Sequence, residues 1–201
     1  FGFSQCLRLR EVILQAHEKL SGNRFLRGVN IVGGVTKDVS DIQARALTEI
    51  LKKVEKDFNE VVEDCLDSMA MINRLEGSGK LDLQTCLDHG MVGVAARAAG
   101  LPRDSRFQYP YAAYDKMNFE LITEKLSDVH ARWLVRVREV PQVFKILYQA
   151  LEKMPSDSEL QSAQGVQLVK SAGDSKLGQV GVLPKSACAV GIAEGWRGDI
   201  V

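Results

Sequence analysis

Residues 40–69, SDIQARALTEILKKVEKDFNEVVEDCLDSM, decide the fold class of this chain. Apolar side chains recur there at spacings of mostly three and four residues, as on one buried face of a helix. Ser40 and Gln43 have the spacing of a capping box, in which each side chain hydrogen-bonds the backbone amide of the other residue. The segment therefore predicts a long amphipathic helix that begins near residue 40 and is broken by the glycines at 77–79.

Other helices are predicted on both sides of this segment. Residues 4–20 carry a looser apolar stripe, and Gly22 follows as a residue that can adopt the left-handed conformation that closes a helix. A short helical turn is expected at 81–89. Near-heptad spacing predicts a long helix at 123–154, and Pro141 is expected to kink or restart it.

The remaining segments predict extended chain and loops. Residues 25–35 contain strand-prone side chains that end at two glycines, and residues 178–201 mix glycine with valine, isoleucine and alanine in the manner of short strands. Residues 90–110, rich in glycine, alanine and proline, are expected to be mostly loop. Helices that precede strands without βαβ alternation indicate an α+β fold, mainly α, with a helical bundle and a small antiparallel β portion near the C-terminus.

The domain prediction follows from these elements. Residues 1–154 are expected to form a helical-bundle core with a loop-rich insertion at about 90–120. The polar segment 155–165 is expected to be a flexible linker, and 166–201 a short-strand segment that completes the same domain.

Composition excludes several classes of protein. The 201 residues include 26 Lys+Arg and 26 Asp+Glu, so the formal charge is zero, which argues against generic binding of nucleic acid. No apolar run approaches the roughly 20 residues that a membrane-spanning helix needs, so any contact with a membrane is expected to come through partners. The chain lacks an initiator Met and ends in a strand-like pattern, and we expect it to be a piece of a longer polypeptide.

The cysteines and histidines predict no metal site. Cys6, Cys65, Cys86 and Cys188 form no C-x-x-C pair, so free thiols in a reducing compartment are expected. Cys86 and His89 have a spacing that suits a metal, but a zinc site needs four ligands and no second pair is nearby.

Two arginine-containing segments are candidates for a binding site. Arg103 and Arg106 lead into three tyrosines at 109–114, whose hydroxyls could serve a polar head group or a proton path. The alternative is a loop pinned by Arg–Asp pairing and stacked rings. In the segment 194–199 Arg197 lies near two glycines, which allow the backbone close to a bound group, or which form a turn with an exposed ion pair.

Taken together, six stretches in one order resemble the large subunit of energy-converting nickel–iron hydrogenases and the related 49 kDa family of respiratory complex I. They are SGNRFLRG (21–28), GGV (33–35), LPRDSR (101–106), YPYAAY (109–114), DVHARWLVRVRE (128–139) and EGWRG (194–198). The GWRG ending and the two alanines between the tyrosines look closest to the hydrogenase-3 type of formate hydrogenlyase.

The resemblance implies a function for the complete protein. It would be an oxidoreductase that interconverts H₂ with protons and electrons and passes the electrons to an adjacent iron–sulphur subunit. It would work with membrane subunits, as a peripheral protein on the cytoplasmic face of the inner membrane. This chain would be the central fragment of that large subunit, inactive by itself.

The resemblance also implies a cofactor and site residues. In the hydrogenases two C-x-x-C motifs hold the Ni–Fe centre, and neither motif occurs here, so the fragment is expected to carry no cofactor. Arg197 matches an arginine that overhangs that centre, although Trp196 stands where many hydrogenases have proline. An arginine there would act by electrostatics and positioning at least as readily as by proton abstraction. Residues that could line a cavity or proton path are Arg24, Arg106, Tyr111, Tyr114 and Glu194.

Two alternatives belong to different classes. In the complex I relatives the metal is lost and the equivalent region forms a quinone cavity beside an iron–sulphur subunit, so the same arginines and tyrosines would line or brace that cavity. The second alternative is a non-catalytic helical scaffold that docks neighbouring subunits.

Overall fold

A computed structural model describes residues 2–31, 34–155, 186, 188 and 190–201 of the chain. The fold is mainly helical with a small antiparallel sheet near the C-terminus, as the sequence predicts. The helices are α1 (Gly2–Ser21), α2 (Asp41–Leu66), α3 (Met69–Leu75), α4 (Leu83–Asp88), α5 (Gly93–Ala98), α6 (Ser105–Gln108) and α7 (Val129–Glu152). The strands are β1 (Asn30–Ile31), β2 (Gly34–Val35), β3 (Ala193–Gly195) and β4 (Gly198–Ile200), and a 3-10 turn spans Tyr114–Lys116.

Helix α2 begins as its capping box predicts. The Ser40 amide donates to Gln43 Oε1 at 3.0 Å, and the Gln43 amide donates to Ser40 Oγ at 3.3 Å. The helix ends at Leu66, earlier than expected, because Ser68 caps a separate helix, α3, by accepting the Met71 amide. Serine at this position competes for backbone amides and so favours a helix start over a helix interior.

The first helix and its ending agree with the prediction, whereas the described part of the extended segment that follows contains less strand than predicted. Gly22 has a φ of +80°, and its amide donates to the Glu18 carbonyl at 2.8 Å, which closes α1. Among the described residues of this segment, 25–31 and 34–35, only β1 and β2 are strands, and they pair as a two-residue antiparallel ladder. The short helical turn expected at 81–89 is α4.

Helix α7 begins six residues later than predicted, because Asp128 caps it. The Asp128 carboxylate accepts the Ala131 amide at 2.8 Å, and it also accepts the Gly77 amide at 2.8 Å, which ties the end of α3 to the start of α7. The helix runs without a restart through Pro141.

The prediction that residues 90–110 are mostly loop is wrong for two short helices, α5 and α6. Apart from Arg97, helix α5 consists of small residues, nearly all of them buried. Helix α6 begins where the Asp104 side chain accepts the Arg106 amide at 2.9 Å. Small residues allow α5 to pack closely on α7. The shared core consists of Val94, Ala98, Ala131 and Val135.

The chain divides into two compact units: residues 1–61 with 151–188, and residues 62–150 with 189–201. The buried apolar side chains of α1 and α2 in the first unit are Leu9, Leu14, Ala16, Leu51, Val54 and Val61. The predicted linker at 155–165, except Pro155, and most of the segment 166–189 lie outside the described residues. The domain assignment therefore stays a prediction. No described helix has the length and apolar character needed to cross a membrane.

Candidate functional site

The candidate site lies in the second unit and is built around a group of arginines and carboxylates that we call the buried ionic cluster. Helix α5, the segment that leads into α6, helices α6 and α7, and both strands of the β3–β4 hairpin each contribute to it. Its members are Arg97, Arg103, Asp104, Arg106, Glu139, Glu194 and Asp199.

Arg97 is the centre of the cluster, with only 3% of its side chain exposed. Its Nη1 atom donates to Glu194 Oε1 at 2.9 Å and to the Arg103 carbonyl at 3.0 Å. Its Nε atom forms an ion pair with Glu139 Oε1 at 2.8 Å, although the angle at this contact does not suit a hydrogen bond. Asp104 Oδ2 lies 3.6 Å from Nη1. A buried guanidinium is tolerated only when it is paired in this way.

Asp104 and Arg106 form a two-pronged ion pair beside Arg97. Arg106 Nε and Nη2 donate to the two carboxylate oxygens of Asp104 at 2.9 and 2.6 Å. Burial by itself would raise the pKa of Asp104, but the hydrogen bonds and charge of Arg106 outweigh it, so the pKa is lowered. The Arg–Asp pairing that one alternative for this segment predicts is thus present, while the role of the tyrosines toward a head group or a proton path stays a prediction.

Tyr111 and Tyr114, which we call the phenol pair, are half-buried beside the cluster. Their rings meet edge to face with centroids 5.0 Å apart, and the Tyr114 ring also contacts Phe119. The Tyr111 hydroxyl accepts the Glu194 amide at 3.1 Å. Burial raises the pKa of Tyr114 and the neighbouring Tyr111 adds to this effect.

The two carboxylates of the β3–β4 hairpin face each other across the ladder and are both hydrogen-bonded. Glu194 pairs with Asp199 in register. Ser105 donates its amide to Glu194 Oε2 at 3.1 Å and its hydroxyl to Asp199 Oδ1 at 2.6 Å, while Arg103 Nε donates to Asp199 Oδ2 at 3.1 Å. Burial acts to raise the pKa of Asp199, but the hydrogen bond from the Ser105 hydroxyl and the charge and hydrogen bond of Arg103 outweigh it, so the pKa is lowered.

The structure brings together four of the residues that the sequence suggested, namely Arg106, Tyr111, Tyr114 and Glu194. Arg24 lies in the first unit, where it pairs with Glu11 at 2.6 Å, so its role at a cavity stays a prediction.

Arg197 lies at the exposed turn of the hairpin and outside the cluster. Its guanidinium lies over the Trp196 ring, 4.3 Å from the centroid. The position of Arg197 over a metal centre stays a prediction.

Sequence reasoning missed Arg97, Glu139, Asp199 and Ser105. A signal for Arg97 was available, because it is the one charged residue in the run AARAA at 95–99, and a charge among small apolar residues indicates a paired, buried group. Glu139 and Asp199 carry no such local signal, because their partners are remote in sequence.

The described residues do not fit a Ni–Fe centre. Cys6 and Cys188 are exposed, Cys65 is half-buried and Cys86 is buried, and none of the four forms a disulfide. Across the described ranges no group of three or more His, Cys, Asp or Glu side chains is arranged to hold a metal ion. This part of the chain therefore lacks the four-thiolate set that the hydrogenase resemblance implies for the complete protein.

Comparison with known proteins gives a consistent family. The family described as "Respiratory-chain NADH dehydrogenase, 49 Kd subunit" matches residues 2–179. Similar proteins are each named as the D-type subunit of NADH-quinone oxidoreductase. The one from Thermosipho melanesiensis is 38% identical over 146 residues, which are 73% of this chain and 40% of that protein.

Two further relatives carry the same name. The protein from Cutibacterium acnes is 34% identical over 148 residues, 74% of this chain and 34% of the relative. The protein from Mycobacterium tuberculosis is 33% identical over 147 residues, 73% of this chain and 33% of the relative. The chain thus spans between a third and two fifths of the length of these curated relatives.

Proposed function

This chain belongs to the family of the 49 kDa subunit of respiratory-chain NADH dehydrogenase, and from that premise we propose that it is part of an oxidoreductase subunit that forms one wall of a quinone-binding site. The comparisons favour this alternative over the hydrogenase-3 type, which they do not confirm. The complete protein would be a subunit of an NADH:quinone oxidoreductase of the complex I type.

The observation that carries the proposal is the phenol pair held against the buried ionic cluster. Quinone carbonyl oxygens accept hydrogen bonds, and reduction to the quinol consumes two electrons and two protons, so a quinone site needs proton-bearing groups held still. Tyr114 carries a proton at neutral pH as any tyrosine does, and burial raises its pKa further, while Tyr111 is anchored by the Glu194 amide. These hydroxyls are suited to hydrogen-bond a quinone head group.

The arginines of this site act as braces in the proposal. Arg106 is committed to Asp104 through two nitrogens, and its guanidinium also lies over the Phe119 ring, 5.4 Å from the centroid. It therefore fixes the aromatic side of the wall. Its positive charge, 16% exposed at the side chain, also favours the negative charge that develops on a quinone during reduction.

The partners follow from the same proposal. The electrons would come from an adjacent iron–sulphur subunit, and membrane subunits of the complex would hold this peripheral subunit at the cytoplasmic face of the inner membrane. The rest of the site would come from the remainder of the subunit and from these neighbours.

The phenol pair provides the test, carried out in the full-length subunit within the assembled complex. Tyr114→Phe is expected to lower kcat for quinone reduction about 10-fold or more, since a positioned proton donor contributes at least that much. Tyr111→Phe should have a similar effect, while reduction of an artificial dye by the same complex stays unchanged. Tyr109→Phe is the matched control, because Tyr109 is 58% exposed. Quinone reduction at the control rate in both variants would contradict the proposal.

The hydrogenase function remains a second candidate because of one feature, the hairpin turn. Arg197 is exposed and is not consumed by the ion pairs of the cluster, so its guanidinium is free to face a group outside this chain. Two C-x-x-C motifs in the full-length sequence, with stoichiometric nickel in the purified protein, would favour this candidate. Quinone reduction by a nickel-free complex would reject it. A complex that assembles but shows neither quinone reduction nor hydrogenase activity would favour the alternative of a non-catalytic docking scaffold.

A further inference from the structure

The β3–β4 hairpin is attached to its unit by polar groups more than by apolar ones. Trp196 and Ile200 are 74% and 62% exposed, so the large side chains of the hairpin bury little surface. A two-stranded hairpin is at best marginally stable by itself. Its position is therefore determined by contacts with segments about 90 residues earlier in the chain.

Close backbone contact defines where the hairpin sits. A Cβ atom added to Gly93 would lie 2.2 Å from the Arg197 carbonyl oxygen, and one added to Gly198 would lie 2.4 Å from Val92 Cγ2. The backbone of the turn thus lies directly on the start of α5. The close contact restricts the hairpin to one position. Backbone contact without side chains supplies little binding energy, however, so other contacts must hold the hairpin there.

Arg97 supplies the charge that joins the hairpin to the helices. Its guanidinium contacts Glu194 on β3, Glu139 on α7 and the Arg103 carbonyl before α6. Arg103, which contacts the other strand through Asp199, is 41% exposed at its side chain and so is more screened by water. Arg97 is therefore the stronger of the two attachments.

We propose that Arg97 is a positioning residue: through Glu194 it fixes the hairpin, and with it both the Tyr111 hydroxyl and the Trp196–Arg197 turn. This inference rests on the proposed function only for its catalytic consequence. The Glu194 amide donates to the Tyr111 hydroxyl, so displacement of β3 also releases one member of the phenol pair. Arg97 acts on the reaction through these residues.

Hydrogen exchange in the assembled complex tests the positioning directly. Arg97→Met should accelerate exchange of the amides at 193–200 by about 10-fold or more, while α7 amides, which a general loss of stability would also expose, stay protected. Arg97→Lys keeps the charge and is expected to give a smaller acceleration, about threefold. Arg136→Met is the control, since Arg136 is exposed on α7 and bonds the Arg132 carbonyl of its own helix.

The outcomes separate this inference from the proposed function. Faster exchange at 193–200 with a lower kcat for quinone supports both. Faster exchange with normal quinone reduction supports the positioning role and contradicts the proposed function. If Arg97→Met does not assemble, Arg97→Lys decides. The positioning role is overturned if the amides at 193–200 exchange at the wild-type rate in Arg97→Lys, or in Arg97→Met when that variant assembles. It is also overturned if exchange accelerates equally in α7.

Discussion

Asp104 provides the sharpest test of the buried ionic cluster, because one side chain performs two separable tasks. It is 1% exposed, pairs with Arg106 through both oxygens, and caps α6 by accepting the Arg106 amide. Asp104→Asn removes the charge and keeps an oxygen that can cap the helix, whereas Asp104→Ala removes both. The comparison of the two variants therefore separates the ion pair from the cap.

The expected magnitudes follow from burial. Removing one partner of a buried ion pair costs about 3–5 kcal/mol, and because Arg106 retains some exposure we expect about 2–4 kcal/mol for Asp104→Asn. Asp104→Ala should cost about 1 kcal/mol more, the usual value of an N-cap. Because the folded-state pKa of Asp104 is lowered, its stabilisation is present above the unfolded pKa and is lost as pH falls through the folded pKa.

Denaturant unfolding followed by tryptophan fluorescence measures these values. Both tryptophans of the chain, Trp133 and Trp196, belong to the second unit, so the signal reports on the unit that contains the cluster. Asp115→Asn, at an exposed position, is the matched control and should change the free energy of unfolding by less than about 0.5 kcal/mol. A loss below about 1 kcal/mol for Asp104→Asn would refute the reasoning that this pair is buried and strong.

Two further predictions use other parts of the site. Gly93→Ala should destabilise the second unit by about 1–3 kcal/mol, because its Cβ would collide with the Arg197 carbonyl. Gly77→Ala is the control: Gly77 is also at positive φ but has open space around it, so this variant should lose only about 1 kcal/mol of stability through backbone strain. Equal losses of stability in the two variants would show that the close contact is not the cause. Burial raises the pKa of Glu139 above 4.5 despite the Arg97 charge, so the stability that this group contributes is present at low pH and is lost as pH rises through the folded pKa. The stability of Glu139→Gln relative to wild type should therefore increase as pH rises from about 4 to about 7, as measured by the denaturant midpoints of unfolding. A difference in midpoint that does not depend on pH would contradict this.

The parts of the fold that the sequence predicts are those fixed by local interactions. The start of α2 depends on Ser40 and Gln43, three residues apart, and its buried face on a regular spacing. Helices α5 and α6 have six and four residues, too few to display a period, so only their packing and caps reveal them. The boundary between α2 and α3 depends on one serine whose capping role a continuous apolar pattern conceals.

The site divides in the same way. Arg106 and the phenol pair lie within one segment, so the sequence could suggest them together. The partners of Arg97 are recognised only once the fold places it against Glu139 and Glu194, 42 and 97 residues later in the chain. Long-range ion pairs of this kind leave no pattern in a single sequence, so the run AARAA could indicate that Arg97 is buried and paired but could not identify its partners.

Photoaffinity labelling of the assembled complex with a photoreactive quinone analogue tests the central claim most directly. The account predicts cross-links within residues 105–119, the segment that contains the phenol pair, and their loss in the presence of excess quinone. Labelling that competes with quinone but falls entirely outside this chain would contradict the claim that these residues form a wall of the quinone site.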